Sequence, residues 1–189
     1  MKPETKTKKE ADEETPVFRK ELISWLKTII FAVAFAFFIT NVIIVNAKVP
    51  TPSMQDTIPS PCRVVAYRLS YLFKKPERYD VVVFKYPDDK TRLFVKRVIG
   101  LPEEKVEIKN GKVYINDSKI PLDDGFVKDL KNVTLSYGPY YVPKDCYFML
   151  GDNRNNSEDS RMWTEKFVIK QDILGKVLFC YYPELKLIK

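Results

Sequence analysis

One uncharged run constrains the fold of this chain more than any other feature. Residues 28 to 45, TIIFAVAFAFFITNVIIV, form a run of 18 residues in which only three are polar. With the flanking Trp25 and Leu26, a helix rising about 1.5 Å per residue reaches about 30 Å, the thickness of a bilayer's hydrocarbon core. Core helices of soluble proteins rarely contain so long an uncharged run. The run therefore predicts a single membrane-spanning helix.

The charges on either side of this run predict its orientation. The 20 residues before it contain five Lys or Arg, and the 20 residues after it contain two. The positive-inside rule then places the N-terminus in the cytoplasm and the bulk of the chain outside the cell membrane. We expect a cytoplasmic tail over residues 1–19, an anchor over 20–47 and an extracytoplasmic domain over 48–189.

Two details of the N-terminal region remain open in the sequence. Residues 1–16 are rich in Lys, Glu and Thr, which predicts that this part of the tail is disordered. Val45-Asn46-Ala47 also places small residues before Lys48, as a cleavable signal peptide would. The length of the apolar run favours a retained anchor over a cleaved signal.

From residue 62 onward, the pattern is typical of a mainly antiparallel β domain. Short runs of Val, Ile, Tyr and Phe alternate with Pro, Gly, Asn and Asp. Asn110-Gly111 predicts a hairpin, since both residues tolerate the positive φ of a type I′ turn. We predict one short helix around Lys170 to Leu174. The predicted strands are Arg63 to Tyr67, Asp80 to Tyr86, Arg92 to Ile99, Lys105 to Ile108, Lys112 to Ile115, Tyr147 to Leu150 and Gly175 to Tyr182.

The residue types present narrow the possible chemistry. The chain contains no histidine, which excludes Ser-His-Asp and Cys-His catalysis and every metal site built with histidine. A hydrolase of this composition must use Lys, Asp or Glu as its base. The three cysteines, Cys62, Cys146 and Cys180, are widely separated with no C-x-x-C pair, so we expect buried structural thiols.

The sequence indicates no metal, cofactor or nucleic acid as a partner. The polar loop after residue 150 resembles a calcium loop only superficially, because Ser157 and Trp163 stand where Gly and Glu are required, so we expect no metal and no cofactor. The net charge of +7 forms no basic stripe with interleaved aromatics, so nucleic acid is not an expected partner. An anionic lipid bilayer is the expected partner of this basic excess.

A serine and a lysine are the candidate catalytic residues. Ser53 lies in Thr51-Pro52-Ser53, shortly after the predicted anchor, where a nucleophile would act on membrane-tethered substrates. In a strand, Phe94, Lys96 and Val98 share one face, so Lys96 is set among apolar neighbours. Burial disfavours the ammonium form and lowers the pKa of a lysine, which allows it to act as a base. A lysine at a sheet edge with its amino group in water is the alternative.

A polar loop follows the apolar Phe148-Met149-Leu150. It runs from Gly151 to Arg161. Asp159 and Arg161 are expected to pair across a turn and rigidify the loop, which leaves Ser157 free to hydrogen-bond a buried lysine.

In this order behind an anchor, these segments resemble the bacterial type I signal peptidases. The resemblance covers about residues 20 to 182 and rests on four motifs in register. They are Pro52-Ser-Met54, Asp80-Val-Val-Val-Phe84, Val95-Lys-Arg-Val-Ile-Gly100, and Gly151-Asp-Asn-Arg154 with Ser157-Glu-Asp-Ser-Arg161.

The resemblance implies a mainly β, antiparallel-sheet catalytic domain that removes signal peptides from exported preproteins after Ala-X-Ala-like sites. It implies Ser53 as nucleophile, Lys96 as general base and Ser157 as the residue that orients the lysine. The Ser53 backbone N–H and the Thr51 hydroxyl would form the oxyanion hole. The remaining implied roles are a structural ion pair, Asp159 with Arg161, and a substrate pocket formed by Met54, Ile58 and Phe94, along which substrate binds as an added strand.

Two departures from the family's pattern leave a second function open. Asp56-Thr57-Ile58 replaces the usual Pro-Thr-Leu, and Pro61-Cys62 stands where Gly-Asp is common. A carboxylate near the nucleophile is expected to favour protonated lysine and to oppose catalysis. The alternative is therefore a signal-peptidase-like factor that binds components of surface-fibre (pilus) assembly without essential proteolysis.

Overall fold

The computed structural model describes residues 7 to 128 and 135 to 188, with side chains described from residue 18 onward. The chain divides into two compact units, one ending at Val42 and the other beginning at Ile43.

The first unit is a long helix. Helix α1 covers Thr7–Phe38, and a π-helical turn, Ile39–Ile43, follows it. Phe18–Ile43 is long and apolar enough to cross a membrane, as the uncharged run predicts. The helix begins within the stretch predicted to be disordered, because Lys, Glu and Ala are strong helix formers. Residues 1–6 of that predicted tail lie outside the described part of the chain.

The apolar run does not end as a helix. Strand β1, Ile44–Val49, begins inside the predicted anchor, so residues 44–47 belong to the second unit instead of the membrane segment. Val45, Ala47 and Val49 point alternately into the core. Hydrophobicity alone does not distinguish a lipid-facing helix from a buried strand.

A large antiparallel sheet forms most of the second unit. Its strand order is β1-β2-β10-β3-β4-β8-β9, and β11 pairs with β10. Every pairing is antiparallel. The further strands of this sheet are β2 Cys62–Tyr67, β3 Val81–Tyr86, β4 Asp89–Gly100, β8 Cys146–Leu150, β9 Val168–Ile169, β10 Ile173–Tyr182 and β11 Lys186–Leu187.

A smaller sheet has the order β6-β5-β7. Its strands are β5 Lys105–Lys109, β6 Lys112–Ile115 and β7 Tyr137–Tyr141. The hairpin between β5 and β6 is confirmed, since Asn110 and Gly111 have φ of 50° and 77°. Val106, Ile108 and Val113 pack with Ile99 and Phe148, which fixes the small sheet against the end of β4.

The mainly β, antiparallel fold predicted from the sequence is confirmed, and its seven predicted strands are present with bounds shifted by at most a few residues. Strands β1, β7, β9 and β11 were not predicted. The helix predicted around Lys170 is a 3-10 turn, Lys170–Asp172, and β10 begins at Ile173. Strands β9 and β11 have two residues each, too few for an alternation to show.

The cysteines differ from the expected free thiols. Cys62 on β2 and Cys180 on β10 form a disulfide, and Cys146 is free and half-buried. The pairing follows from topology, because β2 and β10 are neighbours in the sheet although 118 residues separate the two cysteines. No local pattern in the sequence indicates such a pair.

Candidate active site

Ser53 lies in a short, tightly bonded turn after β1. Pro52–Met54 form a 3-10 turn, and the Met54 carbonyl accepts hydrogen bonds from the Thr57 and Ile58 amides at 2.9 and 2.6 Å. Ser53 is 5% exposed, and its Oγ lies 3.3 Å from the hydroxyl of Thr51. The prolines in this segment restrict φ and hold the serine in one backbone conformation.

Lys96 lies in the buried half of β4. It is 3% exposed, and its Nζ lies 5.8 Å from the centre of the Phe94 ring. In residues 7–128 and 135–188 the amino group has neither an ion-pair partner nor a hydrogen bond. Burial lowers the pKa of Lys96 to about 8, against the opposing effect of Asp159 and Glu158. A substantial fraction of the side chain is therefore neutral in mildly alkaline solution.

The serine and the lysine face one open cavity of about 520 Å³. Its walls are formed by residues 48–53, which include the end of β1 and the Ser53 turn, and by residues 92–96 of β4, together with Asn156 and Glu158. Most of its lining is apolar, including Val49, Phe94 and Val95. The cavity thus brings together a serine hydroxyl, a desolvated amine and a space large enough for several residues of an extended peptide.

The loop from Gly151 to Arg161 holds the serine turn from behind. The Asn153 backbone N–H donates to the Ser53 carbonyl at 3.1 Å, and the Asn153 side-chain amide donates to the Pro52 carbonyl at 3.2 Å. A Cβ at Gly151 would lie 2.6 Å from the Ser53 carbonyl oxygen and 2.1 Å from Ser157 Oγ. Only glycine therefore allows the loop to approach so closely.

Ser157 brings a free hydroxyl to this contact. Its Oγ is buried and, within the described part of the chain, has no hydrogen-bond partner. A buried hydroxyl without a partner costs free energy, on the order of 1 to 3 kcal/mol, unless a group enters to bond it. Unsatisfied groups of this kind are often found at functional sites.

Asp159 and Arg161 close the loop on itself. Arg161 Nε and Nη2 each donate to the Asp159 carboxylate at 2.8 Å, and the Gly151 N–H donates to the same carboxylate at 3.0 Å. Arg161 Nη2 also donates to the Arg154 carbonyl at 3.0 Å. The bidentate pair fixes both ends of the loop that carries Ser157.

Residues 22–182 match the family model described as signal peptidase, peptidase S26. The chain belongs to the signal peptidase family. A probable signal peptidase I-2 from Synechocystis sp. is 35% identical over 95% of this chain and 80% of its own length. Signal peptidase I S from Bacillus subtilis is 36% identical over 87% of this chain and 91% of its own length. A crystal structure of a signal peptidase I from Enterococcus faecalis is 33% identical, covers 55% of this chain and 97% of its own, and has a TM-score of 0.45.

Family membership confirms the resemblance carried by the four motifs. The protein is a peptidase that removes signal peptides by serine-protease chemistry. Its apolar N-terminal helix fits a membrane anchor.

The signal peptidase also contains a buried ion pair that sequence reasoning missed. Arg97 donates from Nε and Nη2 to the Asp152 carboxylate at 2.8 and 2.7 Å, and the Thr57 hydroxyl donates to the same group at 2.5 Å. These bonds link β4, the 151–161 loop and the segment after Ser53. One signal was available: Arg97 and Asp152 each adjoin an apolar run, and a buried charge requires a partner.

A second missed pair docks the segment before residue 128 onto the same loop. Arg154 binds the Asp124 carboxylate with two hydrogen bonds at 3.0 and 2.9 Å, and both side chains are buried. The Phe126 ring lies 4.2 Å from the Arg97 guanidinium carbon. Nothing in the local sequence pairs these residues, since the contacts join distant segments.

The residues of the expected substrate pocket lie in two places. Phe94 lines the cavity, whereas Met54 and Ile58 are both 0% exposed, pack in the core with Val64 and are not among the residues that line the cavity. Val49, Pro50 and Val95 contribute further apolar surface to the cavity.

Asp56 does not oppose the lysine as the sequence suggested. Its carboxylate accepts a hydrogen bond from the Lys128 backbone N–H at 2.8 Å. The principal charges acting on the pKa of Lys96 are those of Asp159, Glu158, Arg161 and Asp152. Asp56 therefore serves to hold the turn after Ser53 against the segment that ends at Lys128.

Proposed function

We propose that Ser53 is the nucleophile and Lys96 the general base of this signal peptidase. The observation that carries the proposal is a buried lysine with a lowered pKa and no ion-pair partner among the described residues, which lines the same cavity as Ser53. As Ser53 Oγ attacks the scissile carbonyl carbon, its proton passes to the neutral amine of Lys96. When the C–N bond breaks, the resulting ammonium returns this proton to the leaving amine, and water then hydrolyses the acyl-enzyme.

The Ser53 backbone N–H and the Thr51 hydroxyl are the proposed oxyanion donors. The Thr51 hydroxyl lies 3.3 Å from Ser53 Oγ, which supports a position close to the oxyanion that forms during attack. Donors held in advance at this position stabilise the charge that develops in the transition state.

Ser157 is the proposed positioning residue for Lys96. Its buried hydroxyl has no partner among the described residues and lies on the loop that grips the Ser53 turn. A hydrogen bond to Lys96 Nζ in the substrate complex would satisfy this hydroxyl and aim the amine at Ser53. The Asp159–Arg161 pair keeps the loop rigid.

The proposed substrate is the region of a preprotein with an Ala-X-Ala-like sequence. The walls formed by residues 48–53 and 92–96 suit an extended peptide that binds as an added strand. Phe94 and Val95 line the apolar part of the cavity next to Lys96 in sequence, which would suit small apolar side chains next to the scissile bond.

The proposed topology has the N-terminus in the cytoplasm and the β domain on the outer face of the membrane. It is supported by the excess of Lys and Arg before the apolar run. Retention of the anchor is supported by Ala47, which is 5% exposed and pairs with Val64 inside β1. Cleavage after Ala47 would require this strand to leave the sheet, so we expect intact-mass measurement to find no product beginning at Lys48.

The dyad is tested with the full chain in detergent and a preprotein substrate. Ser53→Ala and Lys96→Ala should each abolish cleavage, because one removes the nucleophile and the other its base. Ser70→Ala and Lys85→Ala, which change the same residue types outside the cavity, should cleave normally. An active Lys96→Ala variant would refute the dyad.

The fibre-assembly alternative makes a different prediction. It requires that Ser53→Ala leave fibre assembly unharmed in cells. The two departures that suggested it have structural roles, since Asp56 holds Lys128 and Cys62 forms the disulfide with Cys180. Proteolysis is therefore the better-supported function.

A further inference from the structure

Two cations line the active-site cavity, one on β1 and one on β4. Because side chains alternate along a strand, Arg92 shares the face of β4 that carries Phe94 and Lys96. Lys48 lies on β1 between Ala47 and Val49, which both point into the core, so its side chain points away from the core. Both residues are exposed, and both line the cavity.

The two walls run in the same direction. Four successive antiparallel pairings separate β1 from β4, through β2, β10 and β3, so β1 and β4 are parallel to each other. Lys48 precedes Ser53 by five residues and Arg92 precedes Lys96 by four. At about 3.3 Å per extended residue, Arg92 lies roughly 13 Å along β4 from Lys96, and Lys48 lies at most about 17 Å of chain from Ser53, so both cations precede the proposed catalytic pair in the same direction.

Two aromatic rings hold the Arg92 side chain in place without neutralising its charge. Its guanidinium carbon lies 5.1 Å from the centre of the Phe94 ring and 5.3 Å from that of Tyr86, and these rings stack at 4.4 Å. Cation–π contacts orient a guanidinium but leave its charge available to an anion. Throughout residues 7–128 and 135–188, neither Arg92 nor Lys48 has a carboxylate within salt-bridge distance.

The cavity consequently has an excess of positive charge. Its lining contains Lys48, Arg92 and Lys96, and the acidic side chain among its lining residues is Glu158. Glu158 accepts a hydrogen bond from the Tyr86 hydroxyl and also acts on Lys96. An extended peptide whose small side chain sits at Ser53 would bring the residue four or five positions away level with Lys48 and Arg92.

We propose that Arg92 and Lys48 are specificity-determining residues that select preproteins carrying Asp or Glu four or five residues from the scissile bond. The proposal rests on the function proposed above. The proposal adds a second substrate requirement. Besides small residues next to the scissile bond, the preprotein would need an acidic residue at a distance from that bond.

The test uses the full chain in detergent and a set of peptides with one Ala-X-Ala site. The peptides carry Glu, Gln or Lys at the fourth or fifth position on either side of the scissile bond. We expect the wild type to cleave one Glu peptide with a kcat/KM about 2- to 20-fold above that of its Lys counterpart, since partly exposed ion pairs have effects of this size. The preference should weaken in high salt.

Charge reversal gives the sharper result. Arg92→Glu should invert the preference in favour of Lys, and Lys48→Glu should weaken or invert it. Lys112→Glu, the same change at an exposed position on the small sheet, should leave the preference intact. Every charge variant should cleave the Gln peptides, and no variant that also carries Ser53→Ala should cleave them. This comparison separates a failure of the proposal from a failure of the dyad.

Three outcomes would overturn the proposal. One is a wild type that cleaves all Glu and Lys peptides equally. Another is an Arg92→Glu variant that retains the wild-type preference. The third is an Arg92→Glu variant altered only in its response to added phosphatidylglycerol, which would assign these cations to lipid headgroups.

Discussion

At the scale of single residues, the amino group of Lys96 lies among apolar side chains and lowers the stability of the fold. Burial takes its pKa from the ordinary 10.5 to about 8, which corresponds to roughly 3 kcal/mol at neutral pH. Between about pH 8 and 10.5 the unfolded chain binds this proton and the folded chain does not. Stability therefore rises with pH across that window, and the cost is fully present below about pH 8.

Replacing this lysine should separate stability from activity. We expect Lys96→Met to be inactive, yet to raise the free energy of unfolding of the β domain at pH 7 by on the order of 2 to 3 kcal/mol. The difference from wild type should shrink toward pH 10.5, and wild-type kcat should rise with pH through about 8. Chemical denaturation and pH–rate profiles measure these quantities.

Lys85→Met provides the matched control, because Lys85 is an exposed lysine on the neighbouring strand. It should change stability little and remain active. A stability difference for Lys96→Met that did not vary with pH would contradict a buried, desolvated amine.

At the scale of elements, the 151–161 loop positions the Ser53 turn by direct contact. Asn153 holds the backbone of residues 52 and 53, and the ion pair between Asp159 and Arg161 holds the loop. Gly151 allows the close approach, since an added Cβ would collide with both Ser53 and Ser157. The 151–161 loop, which contains neither Ser53 nor Lys96, thus helps to bring these two residues together.

Gly151→Ala should therefore reduce catalysis more than it reduces folding. Displacing the Ser53 turn by several tenths of an ångström or more should lower kcat by about 10- to 100-fold. Gly125→Ala, at an exposed glycine whose added Cβ would meet only Asp123, should stay within twofold of wild type. Kinetics with a thermal melt distinguishes the effects, and a Gly151→Ala enzyme with normal kcat would refute the contact.

At the scale of the whole molecule, the disulfide between Cys62 and Cys180 joins neighbouring strands that are distant in sequence. A cross-link over 118 residues restricts the unfolded chain strongly. Cys62 also follows the segment that begins with Ser53, so the bond ties the end of this segment to the sheet. The fold of the β domain and the position of the proposed nucleophile share this covalent support.

Removing the disulfide should destabilise the β domain. We expect Cys62→Ala with Cys180→Ala to lower its free energy of unfolding by about 3 to 5 kcal/mol. Dithiothreitol should lower the melting temperature of wild type and of Cys146→Ala, but not that of the double variant. If alkylation under denaturing, non-reducing conditions modified all three cysteines of the wild type, the disulfide would be refuted.

The candidate site was predictable where it depends on residue type and local pattern. Lys96 stood out because a chain without histidine has few possible bases and because alternation places it among apolar neighbours. Arg97 and Asp152 did not stand out as a pair. A buried charge requires a partner, but the sequence does not indicate which residue that partner is. Met54 and Ile58, which are expected in the substrate pocket, are fully buried in the core, and the sequence alone does not show which side chains of this segment face the cavity.

By itself, the sequence determined the apolar span, the hairpin at Asn110-Gly111 and the strand that carries Lys96. Hydrophobicity, tolerance of positive φ and alternation are local properties, so they can be read over a few residues. Only the tertiary structure decided where the apolar run becomes β1, which cysteines pair and which side chains share the cavity with Ser53. These outcomes depend on contacts between distant segments, which the strand order of the sheet brings together.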